Sequence, residues 1–441
     1  MNPQRFLRLV SGAMAALGIS AAAIVALNLR GEDPLPSAET LKPTPALVAQ
    51  GGYLTRVGNC MACHTVQGGA PFAGGRGIET PFGVVYSSNL TPDKATGLGA
   101  WTSAEFWRAM HNGRGKDGRL LYPAFPYTSY THVTREDSDA IFAYLQSLPP
   151  VAQANKAHAL RFPYSTQAAL GVWRALFFTP ADAAQPAASA PQALATAQVP
   201  DYQRGAYLVN GLGHCAACHT PRNSLGAEQQ GQALAGGLIP VQNWLAPALT
   251  DAGQAGVQRW PQADVVALLK TGVAPQASVI GPMAEVVFRS TQYLSDADAR
   301  AMAVYLQALP EHAATPAKQA VAPASVMERG AKVYEAQCAQ CHGAQGQGAK
   351  DEAGQPAFPP LAGNRAVVLA DPTNLVRVVL QGGYLPATAG NPRPHGMPPF
   401  QHLLGDEDVA AVTTFVRNSW GNQAAGVGTI EVYRARERRS P

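Results

Sequence analysis

The chain opens on a long apolar run. After Arg5 and Arg8 no charged residue occurs from Leu9 to Leu29, and Arg30 ends the stretch. As a helix rising 1.5 Å per residue the run is about 30 Å long, the thickness of a bilayer's hydrocarbon core. Arg5 and Arg8 would hold its start in the cytoplasm, so the remainder of the chain is exported. A cleaved leader is the alternative, with the small residues Ala21, Ala22 and Ala23 as the place of processing. The length of the run favours an uncleaved anchor.

Beyond this run the apolar positions keep helical spacing in a pattern that returns three times. Thr134-Arg-Glu-Asp137 leads into Ile141, Tyr144, Leu145 and Leu148, and Ser295-Asp-Ala-Asp298 leads into Met302, Tyr305, Leu306 and Leu309. Gly405-Asp-Glu-Asp408 leads likewise to Phe415-Val416. Thr134 and Ser295 read as helix caps, with Asp137 and Asp298 at the third helical position. Upstream, Gly51-Gly-Tyr-Leu54, Gly205-Ala-Tyr-Leu208 and Gly330-Ala-Lys-Val333 each open a shorter helix. Each repeat is therefore a helix, a long loop and a closing helix. The expected fold is all-α, with three tandem domains after one N-terminal transmembrane helix.

Composition shifts set the expected boundaries. Residues 1–30 are the membrane anchor or signal segment, and 31–48, with Pro34, Pro36, Pro43 and Pro45, a tether. The domains are 49–155, 201–310 and 326–421. Residues 156–200 form an aromatic connector followed by an Ala/Pro-rich linker, 311–325 a second linker, and 422–441 a C-terminal tail. In the connector, Leu160, Phe162, Tyr164, Leu170, Trp173, Leu176, Phe177 and Phe178 suit packing between domains, or contact with a partner subunit or a membrane surface.

The 441 residues carry only 14% charged positions and a net charge of +4, with no dense basic stripe, which excludes a nucleic-acid partner. The cysteines decide the chemistry. All six fall in Cys60-Met-Ala-Cys-His64, Cys215-Ala-Ala-Cys-His219 and Cys338-Ala-Gln-Cys-His342. Two thiols three positions apart can form thioethers to one haem, and the adjoining His64, His219 or His342 can bind its iron from the proximal side. A redox dithiol or half of a zinc site is the competing reading of one such pair. Three motifs that use every cysteine, each with its histidine, favour three covalently bound haems c. No thiol remains for a disulfide or a nucleophile.

An iron that only passes electrons usually has its sixth position filled, and methionine raises its potential. Met397, in His395-Gly-Met-Pro-Pro399, and Met283, in Gly281-Pro-Met283, lie in Gly/Pro-rich stretches read as loops before the closing helices of the third and second domains. Met302 sits on a closing helix and reads as core. The first domain departs from the pattern, because Leu121-Tyr-Pro-Ala-Phe125-Pro-Tyr127 has Phe where Met is expected. Met110 in the preceding helix is the favoured ligand, with His111, His132 or an open iron as alternatives. Met61, inside its motif, is too constrained to reach the opposite face. No Ser-His-Asp set or phosphate loop suggests other catalysis, and His158 and His312 read as solvated surface.

These motifs, together with Asn89-Leu-Thr-Pro92, Gly97-Leu-Gly-Ala-Trp101-Thr, Leu121-Tyr-Pro-Ala-Phe-Pro-Tyr127 and Gly211-Leu-Gly-His-Cys-Ala-Ala-Cys-His-Thr-Pro-Arg222, make the chain resemble the membrane-bound triheme cytochrome c subunits of bacterial periplasmic dehydrogenases from about Gly51 to Trp420. The resemblance implies an electron-transfer subunit rather than the substrate-converting chain. Its donor would be a dehydrogenase large subunit of molybdopterin, quinoprotein (PQQ) or flavin type, and its acceptor ubiquinone or a terminal oxidase. It also implies attachment to the bacterial cytoplasmic membrane with the haem domains on the periplasmic side. Many members carry Met at the position of Phe125, and the Phe form with a preceding Met leans toward partners of molybdopterin enzymes. Two other functions compete: a haem peroxidase or reductase using an open iron in the first domain, and a stand-alone membrane-tethered carrier.

Overall fold

The structure, a computed structural model, describes residues 3–32, 41–182, 188–312, 322–352, 354 and 356–437. Residues 33–40 of the tether, Pro34 and Pro36 among them, the middle of the Ala/Pro linker, most of the 311–325 linker and the last four residues of the tail lie outside the described residues. The chain divides into two compact units. One comprises Met1–Thr55, Cys60–Pro186 and Ser224–Ala227, and the other Arg56–Asn59, Ala187–Asn223 and Glu228–Pro441.

In the first unit the helices are α1 (Pro3–Leu29), α2 (Pro45–Val57), α3 (Ser103–Asn112), α4 (Arg135–Gln146) and α5 (Gln167–Phe177). Within α1, Ser11–Leu29 is the stretch long and apolar enough to cross a membrane. Helix α3 starts at a reciprocal cap, in which the Thr102 hydroxyl accepts from Glu105 N and the Glu105 carboxylate accepts from Thr102 N. It stops at Gly113, whose φ of 59° suits a residue without Cβ. Thr134 caps α4 by accepting from Asp137 N, as the sequence pattern predicts. Beside the helices a small antiparallel sheet runs 77–80, 83–86, 159–160. An all-α description is therefore too narrow. Helices dominate, and short β-ladders stiffen the long loops where the chain must reverse without room for a helix.

The second unit holds α6 (Val199–Ala206, continued by a wider turn to Leu212), α7 (Gln262–Thr271), α8 (Pro282–Arg289), α9 (Asp296–Gln307), α10 (Ala324–Gln337), α11 (Thr373–Gln381), α12 (Asp406–Arg417) and α13 (Thr429–Glu437). Ser295 caps α9 by accepting from Asp298 N, whereas Gly405 has no side chain to do the same for α12.

Each repeat closes by crossing its opening helix over its last one, and a glycine sets the crossing. A Cβ on Gly51 would stand 1.8 Å from Ala140 O, one on Gly205 2.0 Å from Ala301 O, and one on Gly330 2.3 Å from Ala411 O. Tyr144, Tyr305 and Phe415, one turn further along the same closing helices, also meet that carbon, with their Cβ atoms 2.9, 2.8 and 2.6 Å from it. The residue before each glycine bonds the acidic first turn of the closing helix. Gln50 Nε2 donates to Asp137 Oδ1 at 2.8 Å, Arg204 Nε to Asp298 Oδ1 at 2.7 Å and Arg329 Nε to Asp408 Oδ1 at 2.7 Å. The repeat visible in the sequence is thus a repeated helix crossing.

Within the second unit, repeats two and three share an interface. Asn374 on α11 acts like one more strand residue, accepting from Leu245 N at 2.9 Å and donating to Leu245 O at 2.7 Å. Arg365 N donates to Gln276 O at 2.9 Å, and the buried Asn364 amide to Ser278 Oγ at 3.0 Å. Residues 422–437, read from sequence as a tail, instead finish the third repeat. Val427, Val432 and Ala435 pack with Val376, Leu380, Phe400 and Val409 in one core cluster.

Arg417, on α12, is wholly buried. Its guanidinium donates to Val367 O, Leu369 O and Ala425 O, all at 2.8 Å, and burial holds its pKa down to about 10, with Asp371 opposing. These bonds hold both the 367–369 bend and the approach to α13. Arg417→Met keeps the volume and strands three carbonyls, at an expected cost of about 3 kcal/mol in chemical denaturation of the holoprotein. A loss under about 0.5 kcal/mol would show that water satisfies those carbonyls.

Candidate haem-attachment sites

The three cysteine motifs adopt one local structure. Each is a single helical turn in which the histidine amide donates to the carbonyl of the first cysteine: His64 N to Cys60 O at 3.0 Å, His219 N to Cys215 O at 2.9 Å and His342 N to Cys338 O at 3.0 Å. That turn puts both sulfurs and the imidazole on one side of the backbone. Cys63 and Cys218 are exposed, and the other four thiols are half-buried.

The imidazoles are then locked from behind. Nδ1 of His64 lies 2.7 Å from Ser88 O, that of His219 2.7 Å from Pro247 O, and that of His342 3.0 Å from Pro359 O. A carbonyl can only accept, so Nδ1 carries the proton and the Nε2 lone pair is free to bind a metal. Burial pushes all three imidazole pKa values down, against the carbonyl bonds that push them up, which favours the neutral ligating form.

A second device closes the loop behind each histidine. The histidine carbonyl accepts from Gly74 N at 2.8 Å, Gly236 N at 2.7 Å and Gly348 N at 2.8 Å. All three glycines have positive φ, 75°, 81° and 69°. These glycines and the three carbonyls escape sequence reading. The carbonyls follow their histidines by 24, 28 and 17 residues, and a backbone acceptor has no residue type to mark it.

The first thiol of each motif is shifted away from redox reactivity. Burial, with the neighbouring cysteine's charge adding to it, pushes Cys60 and Cys215 up to about 12 and Cys338 up to about 11. An activated dithiol needs the opposite shift. Among the described residues no group of three His, Cys, Asp or Glu side chains is placed to hold a metal ion, so a zinc site finds no support. Paired thiols on one helical turn, beside an imidazole held in the Nε2-ligating tautomer, fit covalently bound haem.

The candidate sixth ligands stand on separate elements. Met397 forms part of the two-residue ladder Gly396–Met397 against Gly383–Tyr384, half-buried against the core cluster of α11 and α12. Met283 lies not in a loop but in the first turn of α8, because Pro282 supplies the fixed φ of a helix start and Gly281, at φ 54°, turns the chain into it. It is half-buried there. Met110 is buried on α3, one residue before His111, whose ring stacks on Trp107 at 4.5 Å. His132 is half-buried beyond the 127–130 turn, and burial lowers its pKa. Phe125 sits 5.4 Å from the ring of Tyr130, a buried phenol raised well above its ordinary pKa first by burial and then by the Cys60 and Cys63 charges.

The family model for cytochrome c matches residues 48–149, 202–310 and 327–420. Among curated proteins, the cytochrome c subunit of alcohol dehydrogenase (quinone) from Gluconacetobacter polyoxogenes is 38% identical over 92% of this chain and 87% of its own length. The gluconate 2-dehydrogenase cytochrome c subunit of Pantoea cypripedii is 39% identical over 88% of each chain. The fructose dehydrogenase cytochrome subunit of Gluconobacter japonicus is 35% identical over 90% of this chain and 85% of its own.

Proposed function

The chain belongs to the cytochrome c family, and we propose that it carries three covalently bound haems c as the electron-transfer subunit of a membrane-associated dehydrogenase complex. One observation carries this reading. The same clamp, a Cys-x-x-Cys-His turn with Nδ1 bound to a backbone carbonyl, is built three times on one chain. Cys60 and Cys63, Cys215 and Cys218, and Cys338 and Cys341 would hold the porphyrins. His64, His219 and His342 would present Nε2 to the irons, with Met110, Met283 and Met397, in that order, as the candidate sixth ligands. Iron so bound accepts and returns single electrons.

The residues supply position rather than proton transfer or nucleophilic attack. The relatives' names are those of subunits serving alcohol, gluconate and fructose dehydrogenases. The partner is accordingly a catalytic dehydrogenase chain of molybdopterin, PQQ or flavin type, and the acceptor ubiquinone or a terminal oxidase. Helix α1 serves as a retained anchor in the bacterial cytoplasmic membrane with the repeats on the periplasmic side. Support for retention comes from its end, since Asn28, Gly31 and Glu32 bond into the first unit.

Gentle detergent purification from native membranes tests the function. A copurifying large subunit whose own substrate reduces the haems is the expected result, and a cytochrome that emerges alone and is reduced by unrelated donors would replace it with a stand-alone carrier. The ligand assignment has its own check. Met397→Ala and Met283→Ala each leave the haem count unchanged and lower one midpoint potential, a drop within the ~0.8 V span that axial ligands set. Unaltered potentiometric titrations would remove those two methionines from the ligand set.

A further inference from the structure

Helix α5 has no polar outer face. Between Ala168 and Phe178 its one charged or polar side chain is Arg174, only 3% exposed, with Nε donating to Asn28 Oδ1 at 3.0 Å and the guanidinium 4.8 Å from the Phe178 ring centroid. Ala168, Val172 and Leu176, four residues apart and therefore stacked on one side of the helix, point outward. Val172 is 42% and Leu176 60% exposed, and Phe162, in the turn that precedes the helix, is 84% exposed. A helix resting on a water-soluble protein normally turns charged and polar residues outward.

The placement of α5 says what covers this stripe. Asn28, at the end of the apolar run of α1, donates to Gly171 O at 2.9 Å and accepts from Arg174. Arg114 donates to Asn28 O at 3.0 Å and pairs with Glu32 at 2.6 Å, Asn112 donates to Gly31 O at 2.9 Å, and Arg30 donates to Phe178 O. Residues 28–32 are the first polar stretch after Ser11–Leu29. A span ends where hydrocarbon gives way to headgroups, so an element bonded to Asn28 lies at that boundary. An apolar stripe accompanied by Trp173 and Phe177 matches the chemistry of that zone.

We propose that α5, with Phe162, is a second membrane contact: an interfacial helix whose Ala168-Val172-Leu176 stripe enters the headgroup–acyl boundary of the outer leaflet and holds the first repeat at the lipid surface. The proposal rests on the reading of α1 as a retained span. The cover is lipid rather than a second protein because the inward side of α5 is bonded to the end of that span through Asn28, Gly171 and Arg174, which holds the outward stripe beside the boundary.

Photolabelling of the full protein tests this in vesicles whose phospholipids carry a diazirine near the glycerol end of the acyl chain, with adducts mapped by peptide mass spectrometry. The expected result is adducts in both Ser11–Leu29 and 162–178, several-fold above those on peptides carrying Leu238 and Tyr384, which are 49% and 73% exposed elsewhere. The double variant Val172→Glu, Leu176→Glu should retain the full haem content and lose the 162–178 adducts while keeping those in α1. Adducts in α1 with none in 162–178 overturn the interfacial helix and leave the anchor standing. A mature mass lacking α1, or an unlabelled α1, removes the anchor and the proposal with it. Equal labelling at Leu238 and Tyr384 marks general surface reaction and also overturns it.

Discussion

Cys215→Ala combined with Cys218→Ala yields a mature protein with two haems in place of three, and substrate-driven reduction of the membrane acceptor falls to background. The reason is serial. If three haems on one chain pass an electron by successive hops in chain order, as the proposed function has it, losing the second interrupts the path even when the other two are intact. The alanines leave the turn itself, because His219 N still donates to the Cys215 position's carbonyl and His219 Nδ1 still meets Pro247 O. What is lost is the covalent hold on the porphyrin. Haem is counted spectroscopically on the denatured, purified chain, and acceptor reduction is followed in membranes with the partner present. Two haems with undiminished acceptor reduction would show that the middle repeat lies off the path. Three haems would refute the attachment assignment itself.

Gly330→Val has the largest expected effect on folding. The new Cβ meets Ala411 O at 2.3 Å and Phe415 Cβ at 2.6 Å, and the first of these is backbone in the middle of α12. Neither atom can move without separating α10 from α12. That would break the Arg329 bonds to Asp408 and Glu407 and open the cluster around Tyr334, Val412 and Val416. Overpacking typically costs about 1–3 kcal/mol, and more where backbone blocks relaxation as here, a large part of the ~5–15 kcal/mol that a domain has in hand. Denaturant titration of the purified holoprotein reads the loss directly. Gly428→Val is the control, since its added carbon meets only the Glu431 carboxylate, the end of a flexible side chain. Equal stability of the two variants would show that the α10–α12 crossing tolerates separation.

Sequence determined those features whose chemistry lies in side chains at short, fixed spacing. Cys-x-x-Cys-His names its cofactor because two thioethers and an axial imidazole must fit on one helical turn. Thr134 and Ser295 announced their helices because a cap reaches only three residues along. The run Leu9–Leu29 announced a helix long and apolar enough to cross a bilayer, because the bilayer's thickness fixes the length required.

Tertiary structure decided whatever depends on backbone atoms distant in the chain. Ser88, Pro247 and Pro359 fix the tautomer of the three imidazoles through carbonyl oxygens, which every residue possesses, so no residue type betrays them. Asn374 joins the second and third repeats across 129 positions of sequence, a distance at which no local pattern survives. Met283 looked like a loop ligand because Gly and Pro usually break helices, yet Pro at a first helical position starts one. Residues 422–437 looked like a tail because they follow the last repeated helix, and only packing against α11 and α12 makes Val432 and Ala435 core. The aromatic connector shows the same division. Its apolar character was visible in the sequence, but only the tertiary structure shows which of those residues turn inward, such as Leu170 and Phe178, and which stay exposed, such as Val172 and Leu176.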